Sequence, residues 1–218
     1  FKSAITALST PQSFQNYSLS SNDTVSISSS ISGKPVAGMY NIEVNQLAQG
    51  QKLIGQAQAS VDTVVGTGTI SFSFGSVSGG TLKSDGKYQD ATFTNNGSPT
   101  KTITIDSSNN TLVGIRNAIN ASGFGVTASI VNDGSNTPYH LVITNNQTGE
   151  TQSMKISVGD QAGGSTGLSD LLNYDPSQND GQAFSQVRKA QNASLKVDGI
   201  SISKPSNIIT DAIEGVSL

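Results

Sequence analysis

The chain contains no cysteine, no tryptophan and a single histidine, His140. Without cysteine it has no disulfide staple, no thiolate nucleophile and no zinc-thiolate site. One imidazole without thiols also removes most transition-metal sites, which draw on several His or Cys ligands. Charge is scarce: Asp, Glu, Lys and Arg make up 12% of the 218 residues, and the formal net charge is -3. Arg116, Arg188 and the lysines are scattered, so no basic block offers itself to nucleic acid or to an anionic lipid surface. No apolar run approaches the roughly 20 residues of a membrane-spanning helix. The chain opens on Phe1 rather than Met and closes in an apolar strand pattern. That reads as a piece of a longer polypeptide, with any targeting segment outside it.

What is present is polar and uncharged. Hydrophobic residues make up 34%, and Ser, Thr, Asn, Gln and Gly dominate the rest. This profile suits strands joined by polar turns better than a helical bundle, which needs more Leu, Glu and Lys. The low net charge argues against a fully disordered chain. The expected class is mainly β with a few short helices, a β-rich α+β fold.

Periodicity locates the elements. Phe1, Ala4, Ile5 and Leu8 have helical spacing that Pro11 stops, so residues 1–13 read as the end of a core helix or a linker. Val25, Ile27 and Ile31 alternate in an edge-like strand from Thr24 to Ile31. Tyr40, Ile42 and Val44 alternate as the core face of a strand, with Gln46, Gln49 and Gln51 read as solvated. From Val44 to Leu53 the pattern continues irregularly.

In the middle of the chain, Ile70, Phe72 and Phe74 form one strand, with weaker strand signals from Tyr88 to Phe93 and again at Ile103 and Ile105. Asn109 or Asn110 is placed to cap a helix carrying Leu112, Ile115 and Ile119, with Gly123 ending it. Three strands follow, at Val126 to Ile130, Leu141 to Ile143 and Met154 to Val158. Residues 159–185 read as a connecting segment with one apolar turn at Leu168, Leu171 and Leu172. At the end, Leu195, Val197, Ile200 and Ile202 flank Asp198-Gly199, a two-residue hairpin signal. Asn207 to Ile213 places Ile209 and Ile213 on one helical face, with Gly215 to end it.

Three strings carry a family resemblance. Residues 193–218 (ASLKVDGISISKPSNIITDAIEGVSL) are similar to a pattern that closes the globular part in the bacterial flagellar filament cap family, hook-associated protein 2 (FliD), and Gly38 to Leu53 (GMYNIEVNQLAQGQKL) to a signature of that family's amino-terminal region. Lys204 stands where Arg is common in that pattern. Thr102 to Gly149, with its Ile119-Asn120 pair, closely resembles the flagellin hook "IN" repeat, which occurs in flagellins and in hook-associated proteins. Since the first two strings flank the third, residues 14–65 plus 186–218 are expected to form one discontinuous inner β domain. Residues 66–185 form an outer domain inserted into it, containing the hook motif at 102–149. The absence of cysteine also fits, because flagellar axial proteins are typically poor in it and a chain exported unfolded gains from having no thiols to cross-link.

The resemblance implies a structural role. A ring-like homo-oligomer at the filament tip would help exported flagellin fold and insert, and so support filament elongation and motility. It implies flagellin, hook-associated junction proteins and, for the full-length protein, an export chaperone as partners, with this piece possible as a monomer. It also implies an extracellular place on the flagellum, reached without a cleaved signal peptide. Two other readings stay open: a surface adhesin binding host mucin or glycans through loops such as Ser76 to Asp85, and another axial protein, flagellin or the hook-filament junction protein.

The chain offers no enzymatic chemistry to set against this: no catalytic, cofactor-binding or metal residue is identified. Gly123 to Ala128 matches G-x-G-x-x-A, yet it follows a helix and opens a strand, the reverse of a dinucleotide site. Gly159 to Gly167 is glycine-rich but lacks the Gly-Lys-Ser/Thr of a phosphate loop. His140 has no G-x-S-x-G partner and reads as a surface or strand-edge residue. No Asp-x-Asp-x-Asp-Gly loop points to calcium, and no paired acids point to glycoside hydrolysis. Asn-x-Ser/Thr triplets such as Asn16, Asn22 and Asn192 are expected by chance in this composition.

Overall fold

The structure, a computed structural model, describes residues 18–22, 27–160 and 167–218. The helix expected over residues 1–13 and the start of the Thr24 strand lie outside the described residues. In chain order the elements are β1 (Ser30–Ile31), β2 (Ile42–Gln46), β3 (Lys52–Gly55), β4 (Gly68–Leu82), β5 (Tyr88–Asn95) and β6 (Lys101–Ile105). Helix α1 (Leu112–Ala121) leads to β7 (Val126–Asn132), β8 (Tyr139–Asn145) and β9 (Ser153–Asp160). Helix α2 (Gly167–Leu172) precedes β10 (Phe184–Arg188), β11 (Ala193–Val197), β12 (Ile200–Lys204) and β13 (Val216–Ser217). Strands predominate and both described helices are short, as the composition requires.

The chain divides into two compact units. The smaller contains the described residues up to Val44 with Leu195–Ile202 and Asn207–Leu218, and the larger contains Asn45–Ser194 with Ser203–Ser206. The flanking family strings put the joins near 65/66 and 185/186 instead. They move because β3 pairs antiparallel with β8 on one side and with β10 on the other. Residues on either side of the middle segment are thereby stitched into its sheet.

In the larger unit, β4 is the spine of one sheet. Its first half pairs with β6 on one edge and β9 on the other, and its second half pairs with β5. β4 runs through to Leu82, so most of the segment from Ser76 to Asp85 is strand rather than loop. The change of partner falls next to Gly75, where a Cβ would stand 2.1 Å from the Thr94 carbonyl oxygen. Only glycine permits so close an approach. The second sheet has the order β10-β3-β8-β7. Ile70, Phe72, Ile105, Leu141, Ile143 and Ile156 are all buried in one cluster.

Helix α1 adds Leu112, Ile115 and Ile119 to that cluster. Its N-cap is Thr111, whose hydroxyl accepts from the Gly114 N–H at 3.1 Å. The cap therefore sits one or two residues beyond the expected Asn110 or Asn109; Asn109 instead accepts from the Asp106 N–H at 2.8 Å and closes the preceding turn.

From Gly167 onward, the expected connecting segment at 159–185 is also a packed piece. Leu168, Leu172 and Tyr174 are fully buried, and Tyr174 exchanges two main-chain hydrogen bonds of 2.8 Å with Ile156. Asp175, beside it, is ion-paired with Lys155 and accepts from the Ser177 hydroxyl and N–H. Burial pushes the Asp175 carboxyl up, but those three partners outweigh it and hold the group below the ordinary carboxylate value.

At the centre of this unit lies Gln51, which the sequence pattern leaves in solvent. It is fully buried. Its Oε1 accepts from the Met154 N–H at 2.6 Å, and its Nε2 donates to Gln186 Oε1 at 2.6 Å and faces the Tyr174 hydroxyl at 3.5 Å. Gln186 in turn donates to the Tyr88 hydroxyl at 3.0 Å. Burial, with the neighbouring Tyr88, pushes the Tyr174 phenol far up, so it stays neutral.

The smaller unit holds a three-stranded sheet of order β12-β11-β2 and the short pair β1–β13. Asp198 and Gly199 have φ of 49° and 84°, the two positive angles of the expected hairpin turn. Leu195, Val197, Ile209, Ile213 and Val216 form its core, with Ile42 and Ile202 packed against it. Ile209 and Ile213 are buried as the spacing predicts, but the helix is absent. The segment bends back on itself, and Ile209 and Leu218 exchange main-chain hydrogen bonds of 2.9 and 2.8 Å. Thr210 and Asp211 are poor helix formers, and pairing with Leu218 satisfies the backbone that a short helix would leave open at its ends.

Two outcomes follow from the core. Gln51→Leu strands the Met154 N–H and the Gln186 oxygen, and each stranded buried group costs about 1–3 kcal/mol; urea unfolding of this variant is expected to show a loss of about 2–4 kcal/mol, against less than about 0.5 kcal/mol for the exposed Gln89→Ala. The Asp175 carboxyl is depressed in the fold, so its contribution is complete above the unfolded value of about 3.9 and is lost as pH falls through the lower folded value. Stability measured from pH 6 down to pH 2 should therefore fall less steeply in Asp175→Asn than in the parent; identical slopes would refute this role.

Candidate functional site

The two cap-like strings, far apart in sequence, become neighbouring strands. β2 lies beside β11. The Asn41 N–H donates to Asp198 Oδ1 at 2.8 Å, while the Asp198 N–H donates to the Asn41 carbonyl at 2.9 Å. Glu43 and Lys196 face each other across the same pair at 3.6 Å. Asp198 thus has two tasks, forming the hairpin turn and tying it to β2. Of the residues read as the core face of β2, Ile42 packs inward, whereas Tyr40 and Val44 are 39% and 41% exposed. Met39 is 96% exposed, and Val36, Ile200 and Ile208 in the same unit are also exposed. So many open apolar side chains on one small unit suit contacts with other proteins.

The remaining glutamines of the first string hold main chain. Gln46 Nε2 donates to the Asn192 carbonyl at 2.8 Å. Gln49 and Gln191 exchange main-chain hydrogen bonds of 2.9 and 3.1 Å. Gln51 is the buried residue described above. No signal in the sequence separates Gln51 from its two solvated-looking neighbours, because its partners lie 103 and 135 residues away.

In the hook-like segment, the two residues that name the motif divide the work. Ile119 is fully buried. Asn120 reaches over the end of α1 to the outer edge of β7: its Oδ1 accepts from the Ala128 N–H at 2.7 Å and its Nδ2 donates to the Ala128 carbonyl at 2.8 Å. The carboxamide occupies both main-chain groups of one edge residue, as a neighbouring strand would.

The residues weighed for chemistry fall elsewhere. Gly123 and Gly125, both at positive φ, turn the chain from α1 into β7. His140, the second residue of β8, places Nδ1 3.0 Å from the Gly55 carbonyl and Nε2 3.3 Å from Asp133 Oδ2. Hydrogen bonds from the Ser135 main chain and hydroxyl, with a smaller contribution from His140, hold the Asp133 carboxyl below its usual value. Both ring nitrogens are engaged, one by a main-chain carbonyl and one by a carboxylate, so the imidazole braces strands. Among the described residues, no group of three or more His, Cys, Asp or Glu is arranged to hold a metal ion. No helix among them is long and apolar enough to cross a membrane.

Comparison with known proteins agrees with this arrangement. Residues 1–51 match the family described as the flagellar hook-associated protein 2 N-terminus, and residues 92–147 match the flagellin hook IN motif. The B-type flagellar hook-associated protein 2 of Pseudomonas aeruginosa is 36% identical over all of this chain and 42% of its own length. The flagellar hook-associated protein 2 of Escherichia coli K12 is 36% identical over 97% of this chain and 40% of its own. The chain thus spans about two-fifths of the curated relatives it matches. Among solved structures, the D2-D3 domains of the Escherichia coli flagellar cap protein FliD superpose with a TM-score of 0.70 at 31% identity, covering 89% of this chain and 87% of that one. FliD (HAP2) from Pseudomonas aeruginosa PAO1 gives a TM-score of 0.67 at 36% identity, covering 87% and 76%. With both cap-like strings paired in one sheet and the hook motif in the larger unit, this chain belongs to the flagellar hook-associated protein 2 (FliD) family.

Proposed function

We propose that this chain supplies outer domains of a flagellar filament cap, a non-enzymatic part of the bacterial flagellum. The full protein sits outside the cell at the filament tip, reached without a cleaved signal peptide. There it forms a homo-oligomeric ring that helps exported flagellin fold and insert. Its partners are flagellin, further copies of itself, the hook-associated junction proteins and an export chaperone. The two domains are arranged with the outer inserted into a discontinuous inner one. The observation that carries this reading is the β2–β11 pairing, which brings together the two cap-like strings and closes the Asp198-Gly199 turn onto Asn41.

The physical character of the chain fits the task. Guiding subunits calls for rigid β units and reversible polar or apolar contacts, and needs no group poised for proton transfer. The relatives at 36% identity are named as hook-associated protein 2 rather than as flagellin or junction protein, which leaves the other axial reading without support.

Deleting the parent gene is expected to leave cells that release unpolymerised flagellin into the medium and do not swim, with filaments restored by the intact gene. Filaments of normal length in the deletion strain would falsify the proposal. Mass spectrometry of the secreted protein in the complemented strain should show an uncleaved amino terminus.

A further inference from the structure

β7 is the outermost strand of the order β10-β3-β8-β7 and pairs along its whole length with β8, from Val126 opposite Asn145 to Asn132 opposite Tyr139. Its sequence, VTASIVN, carries no charge and no proline. Those are the usual devices that blunt an exposed edge, and a strand without them is a template for another. What the strand does have is the Asn120 carboxamide on both main-chain groups of Ala128.

Main-chain groups alternate in direction along a strand. The Ala128 pair faces away from β8, so the Ile130 pair faces the same way. Two copies meeting antiparallel about Ser129 would set Ala128 of one opposite Ile130 of the other, twice by symmetry. Each such pair would exchange two hydrogen bonds, and no like charges would oppose the approach. Because each pair uses one Ala128, a single guarded residue per copy blocks both.

We propose that Asn120 is an edge guard: its carboxamide occupies the Ala128 main-chain groups through which a second copy of this chain would add strand to strand. This assigns the Asn of the hook motif the task of keeping neighbouring copies from pairing by their sheets. The inference rests on the geometry of α1 and β7 and stands apart from the filament-tip role.

Sedimentation velocity of the 218-residue chain over a concentration series tests it. Asn120→Ala is expected to self-associate at least about tenfold more tightly than the parent, since each exchanged pair adds two main-chain hydrogen bonds. Adding Ile130→Pro to that variant removes an outward N–H without touching the bonds to β8, and should return it to parental behaviour. Asn120→Ser, too short to span both Ala128 groups, serves if the alanine variant does not fold, and is expected to associate likewise. Folded variants that sediment as the parent does would overturn the proposal. So would association that survives Ile130→Pro, since the new contact would then lie away from the β7 edge.

Discussion

Gln51 is the neutral group on which the larger unit hangs. Its carboxamide reaches Met154 at the start of β9, Gln186 in β10 and the Tyr174 hydroxyl, so one side chain joins the sheet built on β4 to the sheet that contains β3. A charged residue there would pay a heavy desolvation cost. An apolar one would leave a buried N–H without a partner. An amide offers donor and acceptor together at modest expense, which is why the position takes glutamine. The network continues outward through Gln186 to Tyr88, and Gln182 accepts from the Tyr88 N–H at 3.0 Å.

The same economy recurs wherever the chain is held together. With few charges available, cohesion comes from amides and hydroxyls facing main chain. Thr111 caps α1, Asn120 covers Ala128 and Gln46 holds Asn192. Bonds of this kind are short-ranged and little screened by salt, unlike surface ion pairs. They also leave the chain with little charge for long-range steering.

This organisation separates scaffold from surface. Within the larger unit a single apolar cluster fixes both sheets and both described helices. The smaller unit has a core of five buried residues and presents Val36, Met39, Ile200 and Ile208 to solvent. The ionisable groups with hydrogen-bonded or ion-paired partners serve the scaffold. His140 braces two strands and a turn, and the buried carboxylate of Asp175 is matched by Lys155.

Local pattern suffices for the β-rich class, the alternating strands at Ile70 to Phe74 and Leu141 to Ile143, the apolar face of α1 and the Asp198-Gly199 turn. Each of these is local: periodicity of two or of 3.6, or a dipeptide suited to positive φ, decides it within a few residues. The three family strings were legible for the same reason, as contiguous patterns. Tertiary structure decided the rest. It moved the joins between units, because β3 and β10 find their partner in β8 and strand pairing has no local code. It chose Thr111 over two equally plausible caps. It bent Asn207 to Ile213 back onto Leu218, although Ile209 and Ile213 are buried either way. It took Gln51 out of water and gave Asn120 an edge to cover, since a polar side chain's fate depends on which main-chain groups the fold brings to it from more distant parts of the chain.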